Sequence, residues 1–171
     1  MAELVPVTIT GVVRGSNDGP GRSERFFIEL AAAAEGDPRR LRIGVGDAEA
    51  MSLAFSLQGQ EFPRPMTYQF MAALVAAAGS AVKAVRVTGL RDGVFYAAVM
   101  LRGGATVDAR PSDALNLAAI TGAEVYVAPE LLGLPAALGE PGPKVLPKRL
   151  IVKKEAGLAE LTAVAWARHP G

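Results

Sequence analysis

The order of strand-like and helix-like patterns along the chain is the feature that most constrains its fold. Three segments with strand character fill about the first 45 positions, and two segments with helical spacing follow them. Three more strand patterns, a third helical pattern and a short final strand complete the order. Because strands and helices do not alternate strictly, this order predicts an α+β domain with a mostly antiparallel sheet and about three helices.

Glycine, proline and short polar residues mark where the predicted elements begin and end. The tripeptides Arg-Asp-Gly at 91–93 and Arg-Gly-Gly at 102–104 are typical of tight hairpin turns, because glycine supplies the positive φ that such turns need. Asp47 and Thr67 are expected to cap the first two helices. Pro111 is expected to stand in the first turn of the third helix.

The amino-acid composition of the chain changes after Gly133. Residues 1–133 carry the strand and helix patterns and are predicted to form one domain. Residues 134–171 begin with a segment rich in proline and glycine and are predicted to be a linker and a basic C-terminal extension. The body before Gly133 holds 12 basic and 14 acidic side chains, so it lacks the strongly basic surface of a dedicated nucleic-acid-binding domain.

The composition excludes several kinds of chemistry. The chain has no cysteine and a single histidine, His169, three residues from its C-terminus. Catalysis must therefore use carboxylate, hydroxyl, lysine or arginine side chains. The chain contains no apolar run of the ~18 residues that a membrane span needs. It begins without the pattern of a secretory signal, so a cytoplasmic protein with no membrane partner is expected.

The string Asp-Ala-Arg-Pro-Ser-Asp at 108–113 concentrates reactive side chains directly before a helical run of alanine and leucine. One interpretation is purely structural. Ser112 or Asp113 would satisfy free N–H groups of the first helical turn. Arg110 would pair with Asp113 or with Glu49, and Asp108 would accept backbone hydrogen bonds at the end of its strand. In this interpretation the string is a well-made helix start.

Several strings of the chain, taken in order, resemble the bifunctional nuclease domain family of bacteria over about residues 5 to 133. The matching positions are Glu49-Ala50, Arg64-Pro65-x-Thr67, Phe95 and Asp108-Ala-Arg-Pro-Ser-Asp113-Ala. The resemblance implies an α+β fold, in agreement with the pattern of elements. It also implies hydrolysis of phosphodiester bonds, with DNA or RNA as the partner.

Hydrolysis of a phosphodiester needs an activated water and neutralisation of charge at phosphorus. No usable histidine or cysteine is present, so the activity that the resemblance implies would use Mg²⁺ or Mn²⁺ held by carboxylates. The predicted metal ligands and catalytic residues are Asp108, Asp113 and Glu49. The residues assigned to the substrate phosphate are Arg110, Ser112 and Arg64.

The chain departs from the family at one place, which keeps other functions open. Many members follow the threonine of the second helix with His-Asp, whereas Tyr68 and Gln69 stand here. A histidine-based mechanism is therefore not available. The alternative is a non-catalytic binding or regulatory module with a nucleic acid or protein partner. A structural homo-oligomer that associates through apolar faces is a third interpretation.

Overall fold

Three α-helices and eight strands make up the described part of the computed structural model, which covers residues 3–16, 24–134 and 150–152. The helices are α1 (Asp47–Leu57), α2 (Thr67–Ala77) and α3 (Pro111–Thr121), with a short 3-10 turn at Pro129–Leu131. The strands are β1 (Val5–Ser16), β2 (Glu24–Ala32), β3 (Arg40–Val45), β4 (Val82–Arg91), β5 (Val94–Leu101), β6 (Thr106–Ala109), β7 (Glu124–Val127) and β8 (Leu150–Val152). The α+β prediction is confirmed.

The strands form one sheet in the order β3-β2-β1-β7-β4-β5-β6, with β8 also paired to β1. The first three strands and the strands β4 to β6 form two antiparallel meanders. The short strand β7 lies between them, antiparallel to β1 and parallel to β4. The sheet is therefore mostly antiparallel, as the sequence predicted, and β7 joins its two halves.

One face of the sheet carries the core. Alternate residues of β4 and β7 point to this face, so that Val85 and Val87 of β4 lie beside Val125 and Val127 of β7. Helices α1 and α3 cover this face, and their Leu53 and Leu115 are fully buried. Helix α2 packs on α3, further from the sheet. The result is two layers around one core.

The helix boundaries differ slightly from the expected ones. Gly46 and Met66 occupy the N-cap positions of α1 and α2, so Asp47 and Thr67 are the first helical residues and not the caps. At α2 the Met66 N–H donates to Oε1 of Gln69 at 2.8 Å, which replaces the expected cap. Each α-helix has 11 residues, and none within the described ranges is long and apolar enough to cross a membrane.

Most of the predicted C-terminal extension lies outside the described residues. The Gly133 N–H donates to the carbonyl oxygen of Arg40 at 2.9 Å, which fastens the end of the predicted domain to the edge strand β3. Strand β8 pairs antiparallel with residues Val12, Val13 and Arg14 of β1. The division of the chain at 133 stays a prediction.

Candidate functional site

The junction of β6 and α3 places Arg110 at the start of the helix. Arg110 is the N-cap residue, in an extended conformation with φ −65° and ψ 144°, and Pro111 follows in the first turn. The Arg110 carbonyl oxygen accepts hydrogen bonds from the N–H groups of Asp113 and Ala114 at 3.1 and 3.0 Å. No side chain caps this helix start within the described residues, so the expected capping by Ser112 or Asp113 is not seen.

The Arg110 guanidinium binds two carboxylates at once. Its Nε donates to Oδ2 of Asp113 at 2.7 Å and its Nη2 donates to Oδ1 of Asp113 at 2.9 Å. The same Nη2 donates to Oε1 of Glu49 at 3.1 Å. The Arg110 side chain is 66% exposed, against 28% for Asp113 and 20% for Glu49. Arg110 therefore connects α1 to α3 and also presents its cation to solvent.

Tyr68 completes the cluster from the third helix. Its hydroxyl donates to Oδ1 of Asp113 at 2.7 Å, and it is the one buried residue of α2. Sequence reasoning treated Tyr68 only as the loss of a family histidine. The structure shows that this position contacts the site directly, so the carboxylate of Asp113 holds together an arginine and a buried tyrosine. We call Glu49, Tyr68, Arg110 and Asp113 the Arg110 cluster.

The electrostatics of the Arg110 cluster keep Asp113, Arg110 and Tyr68 in their ordinary charge states. Partial burial raises the pKa of Asp113, but the hydrogen bonds from Arg110 and Tyr68 and the positive charge of Arg110 outweigh it, so the pKa lies below its usual value. The hydrogen bonds to Asp113 and its charge raise the pKa of Arg110. Burial, followed by the hydrogen bond to Asp113, raises the pKa of Tyr68. At neutral pH the cluster therefore holds an anionic aspartate, a cationic arginine and a neutral phenol.

A buried asparagine fixes the backbone beneath the Arg110 cluster. The Nδ2 group of Asn116 donates to the carbonyl oxygens of Glu49 at 3.1 Å and Ser112 at 2.9 Å, and its side chain is fully buried. Its Oδ1 has no hydrogen-bond partner within the described residues. Sequence reasoning missed this residue, although an amide inside an otherwise apolar helical run is the kind of signal that finds it. Asn116 thus ties the backbones of α1 and α3 together.

Gly46 explains how Glu49 reaches its position. A Cβ atom added at Gly46 would lie 2.4 Å from Oε2 of Glu49, closer than real Cβ atoms come to other atoms. Any larger residue at the N-cap of α1 would push this carboxylate away from Arg110. The glycine is therefore part of the geometry of the cluster.

The structure brings together only some of the residues predicted for the site. Asp108 pairs with Ala98 of β5. Its two neighbours on β6 pair with Ala97 and Val99, whose side chains are buried under the helices. Because side chains alternate along a strand, Asp108 lies on the opposite face of the sheet from the Arg110 cluster, and it is exposed. Its carboxylate makes none of the expected backbone hydrogen bonds among the described residues.

The other two predicted phosphate ligands also stand apart from the exposed guanidinium. Ser112 is buried, with 8% of its surface exposed, in the first turn of α3. Arg64 is exposed on the connector between α1 and α2, and the structure records no hydrogen bond or ion pair between it and the Arg110 cluster. Arg110 is therefore the predicted phosphate ligand that the geometry of the cluster favours.

The predicted set of metal ligands is not assembled by this arrangement. Glu49 and Asp113 are both paired with Arg110, and Asp108 lies across the sheet from them. Within the described residues, no group of three or more His, Cys, Asp or Glu side chains is placed to hold a metal ion. The three carboxylates together therefore do not fit a divalent cation here, and Mg²⁺ or Mn²⁺ stays a prediction of the resemblance.

The fold and the site together define an α+β domain with an exposed arginine, held by two carboxylates, at the start of a buried helix. The chain belongs to the bifunctional nuclease domain family, whose model matches residues 30–136. This membership places it among nuclease-related or nucleic-acid-binding domains. The match covers α1, α2 and α3 and with them every member of the Arg110 cluster.

Two proteins from two strains of Mycobacterium tuberculosis are similar to this chain. They are the uncharacterized protein MT1877 and the uncharacterized protein Rv1829, each 40% identical over 100 residues. The match covers 58% of this chain and 60% of each relative, so the chain spans less than two thirds of their length. Their names state no activity, and the function of this chain must be argued from its own site.

Removing the hydroxyl of Tyr68 tests whether the buried phenol supports the cluster. We expect Tyr68→Phe to lower the free energy of unfolding by about 1 kcal/mol, because Oδ1 of Asp113 loses one of its two donors. Tyr96→Phe is the matched control, since Tyr96 is 41% exposed. Its effect is expected to stay within about 0.5 kcal/mol. Urea unfolding followed by circular dichroism measures both, and equal effects of the two changes would contradict the prediction.

Proposed function

We propose that this chain is a nuclease that hydrolyses phosphodiester bonds of DNA or RNA, with Arg110 as the group that contacts the phosphate. The observation that carries the proposal is the guanidinium of Arg110, 66% exposed and held in place by Asp113 and Glu49. Its Nε and Nη2 donate to the two carboxylates, whereas its Nη1 donates to none of the described residues and is placed to donate to a phosphate oxygen. The start of α3 adds a favourable field for an anion. Membership of the bifunctional nuclease domain family supports the same conclusion.

Three members of the Arg110 cluster have separate roles in this proposal. Oε1 of Glu49 accepts from Arg110, whereas its Oε2 accepts no hydrogen bond from the described residues, so this carboxylate is the one suited to take a proton from water. The water oxygen bonds to phosphorus, the bond to the leaving oxygen breaks, and the leaving oxygen takes a proton from solvent. Arg110 stabilises the charge that develops on the phosphoryl oxygens. Asp113 is a positioning residue, since it orients Arg110.

A second candidate function, the binding of nucleic acid without hydrolysis, is favoured by one observation. Both carboxylates of the cluster are already paired with Arg110, and the described residues include no metal-type group of ligands. On this proposal Arg110 holds a backbone phosphate, and the carboxylates only orient it. The near-neutral body implies that such binding is weak, and its affinity should fall only shallowly with salt because few phosphates are neutralised.

Glu49→Gln separates the two functions. The full chain is incubated with fluorescently labelled single-stranded DNA and RNA, in EDTA and again with added Mg²⁺ or Mn²⁺. We expect Glu49→Gln to slow hydrolysis about 100-fold, the usual contribution of a general base. Oligonucleotide affinity, measured by fluorescence anisotropy, should change little, because Arg110 keeps its contacts with Asp113. Activity that EDTA abolishes and Mn²⁺ restores would bring the predicted cation back into the mechanism.

Glu130→Gln serves as the control, since Glu130 is exposed on the 3-10 turn and lies outside the Arg110 cluster. It is expected to retain the hydrolysis rate of the unmodified chain. Salt-dependent binding without turnover, in EDTA and with both cations, would instead establish the second function.

A further inference from the structure

Helix α2 leaves an apolar face uncovered. In the described part of the chain seven large apolar side chains are exposed, and four of them lie on α2 or at its N-cap. They are Met66 at 43%, Phe70 at 56%, Met71 at 38% and Leu74 at 53%. No charged residue occurs between Arg64 and Lys83. We call Met66, Phe70, Ala73, Leu74 and Ala77 the outer face of α2.

Helix α2 gains little stability from packing against the rest of the molecule. Tyr68 is its one buried residue, and the extensive contact of the helix is with α3 and not with the sheet. A helix of 11 residues is marginal by itself in water. Monomeric proteins seldom leave a contiguous apolar patch of this kind uncovered. The outer face is therefore a surface that needs a partner.

The geometry points to a second copy of this chain as the occupant, packed through α2 as an antiparallel pair of helices. Met66, Phe70, Ala73 and Ala77 are spaced by four, three and four residues, which is the spacing of a helix–helix seam. At 100° per residue this seam lies on the side of the helix opposite Tyr68. The inference is independent of the proposed function.

The sizes of the side chains favour the antiparallel arrangement. The large side chains of the seam, Met66 and Phe70, stand near the N-terminus of α2, and the small ones, Ala73 and Ala77, stand towards its C-terminus. A two-fold axis near the middle of the helix therefore sets Phe70 against Ala77 of the partner subunit. Leu74 lies beside the axis and faces Ala73 of the partner subunit. Large side chains meet small ones twice, as a self-complementary interface requires.

The charge of the surface distinguishes a second copy from a nucleic acid. A nucleic acid would meet no cation on the outer face, because the nearest charged residues along the chain are Arg64 and Lys83. A second copy brings no unpaired charge into the contact. The outer face and its neighbouring alanines offer roughly 600 Å² per copy, at the low end for a specific interface, so a micromolar dissociation constant is expected.

Sedimentation equilibrium of the full chain tests the dimer, at concentrations from about 1 to about 200 μM. We expect the mass to rise with concentration from 17.7 kDa towards twice that value. Phe70→Lys should stay at the mass of one chain at every concentration. Val94→Lys is the matched control, because Val94 is also 56% exposed but lies on β5, and it should dimerise like the unmodified chain. Circular dichroism checks that each variant is folded.

Two further variants test the arrangement of the helices. The double variant Phe70→Lys with Ala77→Glu should regain the dimer, because each lysine then faces a glutamate across the axis. Since the chain has no cysteine, Ala73→Cys near the axis should form a covalent dimer on oxidation, whereas Ala105→Cys on the β5–β6 hairpin should not.

Several results would overturn the inference or its antiparallel arrangement. An unmodified chain that stays at 17.7 kDa throughout would do so, and so would a dimer that survives Phe70→Lys. If Phe70→Lys abolishes the dimer but the double variant does not restore it, the antiparallel pair is overturned. Failure of Ala73→Cys to cross-link on oxidation would overturn it as well. If the unmodified chain is monomeric and removal of residues 153–171 makes it dimerise, the C-terminal extension is the occupant, and the inference fails.

Discussion

Replacing Arg110 by alanine is expected to slow hydrolysis of single-stranded DNA or RNA about 100-fold, the usual cost of removing one preorganised donor from a developing anion. The free energy of unfolding should fall by no more than about 1 to 2 kcal/mol, the loss also expected for Asp113→Asn, because both changes remove the charged hydrogen bonds between Arg110 and Asp113. A large loss of activity with a small loss of stability would mark Arg110 as a ligand of the substrate. Fluorescent oligonucleotide cleavage and thermal unfolding measure the two effects.

Arg110→Lys and Arg102→Ala serve as controls for this prediction. Lysine keeps the positive charge but lacks the planar fork, so Arg110→Lys should recover only part of the activity. Arg102 is exposed on the β5–β6 hairpin, outside the Arg110 cluster, so Arg102→Ala should behave like the unmodified chain. If Arg110→Ala lowers the melting temperature and leaves binding and cleavage intact, the arginine is a crosslink between helices and the proposed function is wrong.

Asp113→Asn is expected to lower the free energy of unfolding by about 1 to 2 kcal/mol, because a partly buried carboxylate loses its charge-assisted hydrogen bonds from Arg110. Asp108→Asn is the matched control from the same string of sequence. Asp108 is exposed on the opposite face of the sheet, so its effect should stay within about 0.5 kcal/mol. Urea unfolding at neutral pH compares the two variants.

The free energy of unfolding that Asp113→Asn removes should become smaller as the pH falls. The pKa of Asp113 in the folded chain lies below the ordinary value of 3.8, so the ionised carboxylate stabilises the fold at and above that value. As the pH falls below 3.8 and passes the lowered pKa, the carboxylate takes up a proton and this contribution disappears. The free energies of unfolding of the unmodified chain and the variant, plotted against pH, should therefore converge in acid. Curves that instead separate further below this value would contradict the assignment.

Much of the fold follows from local sequence. Alternation of apolar residues predicts the strands, and glycines such as Gly93 and Gly103, both with positive φ, predict the hairpin turns. The place of β7 between β1 and β4 could not be predicted in this way. The pairing of Val5 with Val127 joins residues from opposite ends of the domain, and no local pattern encodes such a partner.

The candidate site was predictable where its residues are close in sequence and less so elsewhere. Pairing of Arg110 with Asp113 or with Glu49 was expected as alternatives, and the structure shows both together. The place of Asp108 depends on which face of β6 meets the helices, which only the strand register reveals. The contact of Tyr68 with Asp113 spans 45 residues and requires the packing of α2 on α3. The divalent cation and the cytoplasmic location stay predictions.

The position of β7 also has a consequence for how the chain folds during synthesis. Each meander can form from neighbouring strands as it leaves the ribosome, but β1 and β4 acquire their common neighbour only when Glu124–Val127 has been made. Until then two strand edges of a β-rich chain are open to pairing with other molecules. A nascent chain interrupted before Glu124 is therefore expected to aggregate more readily, because residues 5–7 of β1 and 84–87 of β4 still lack their pairing with β7.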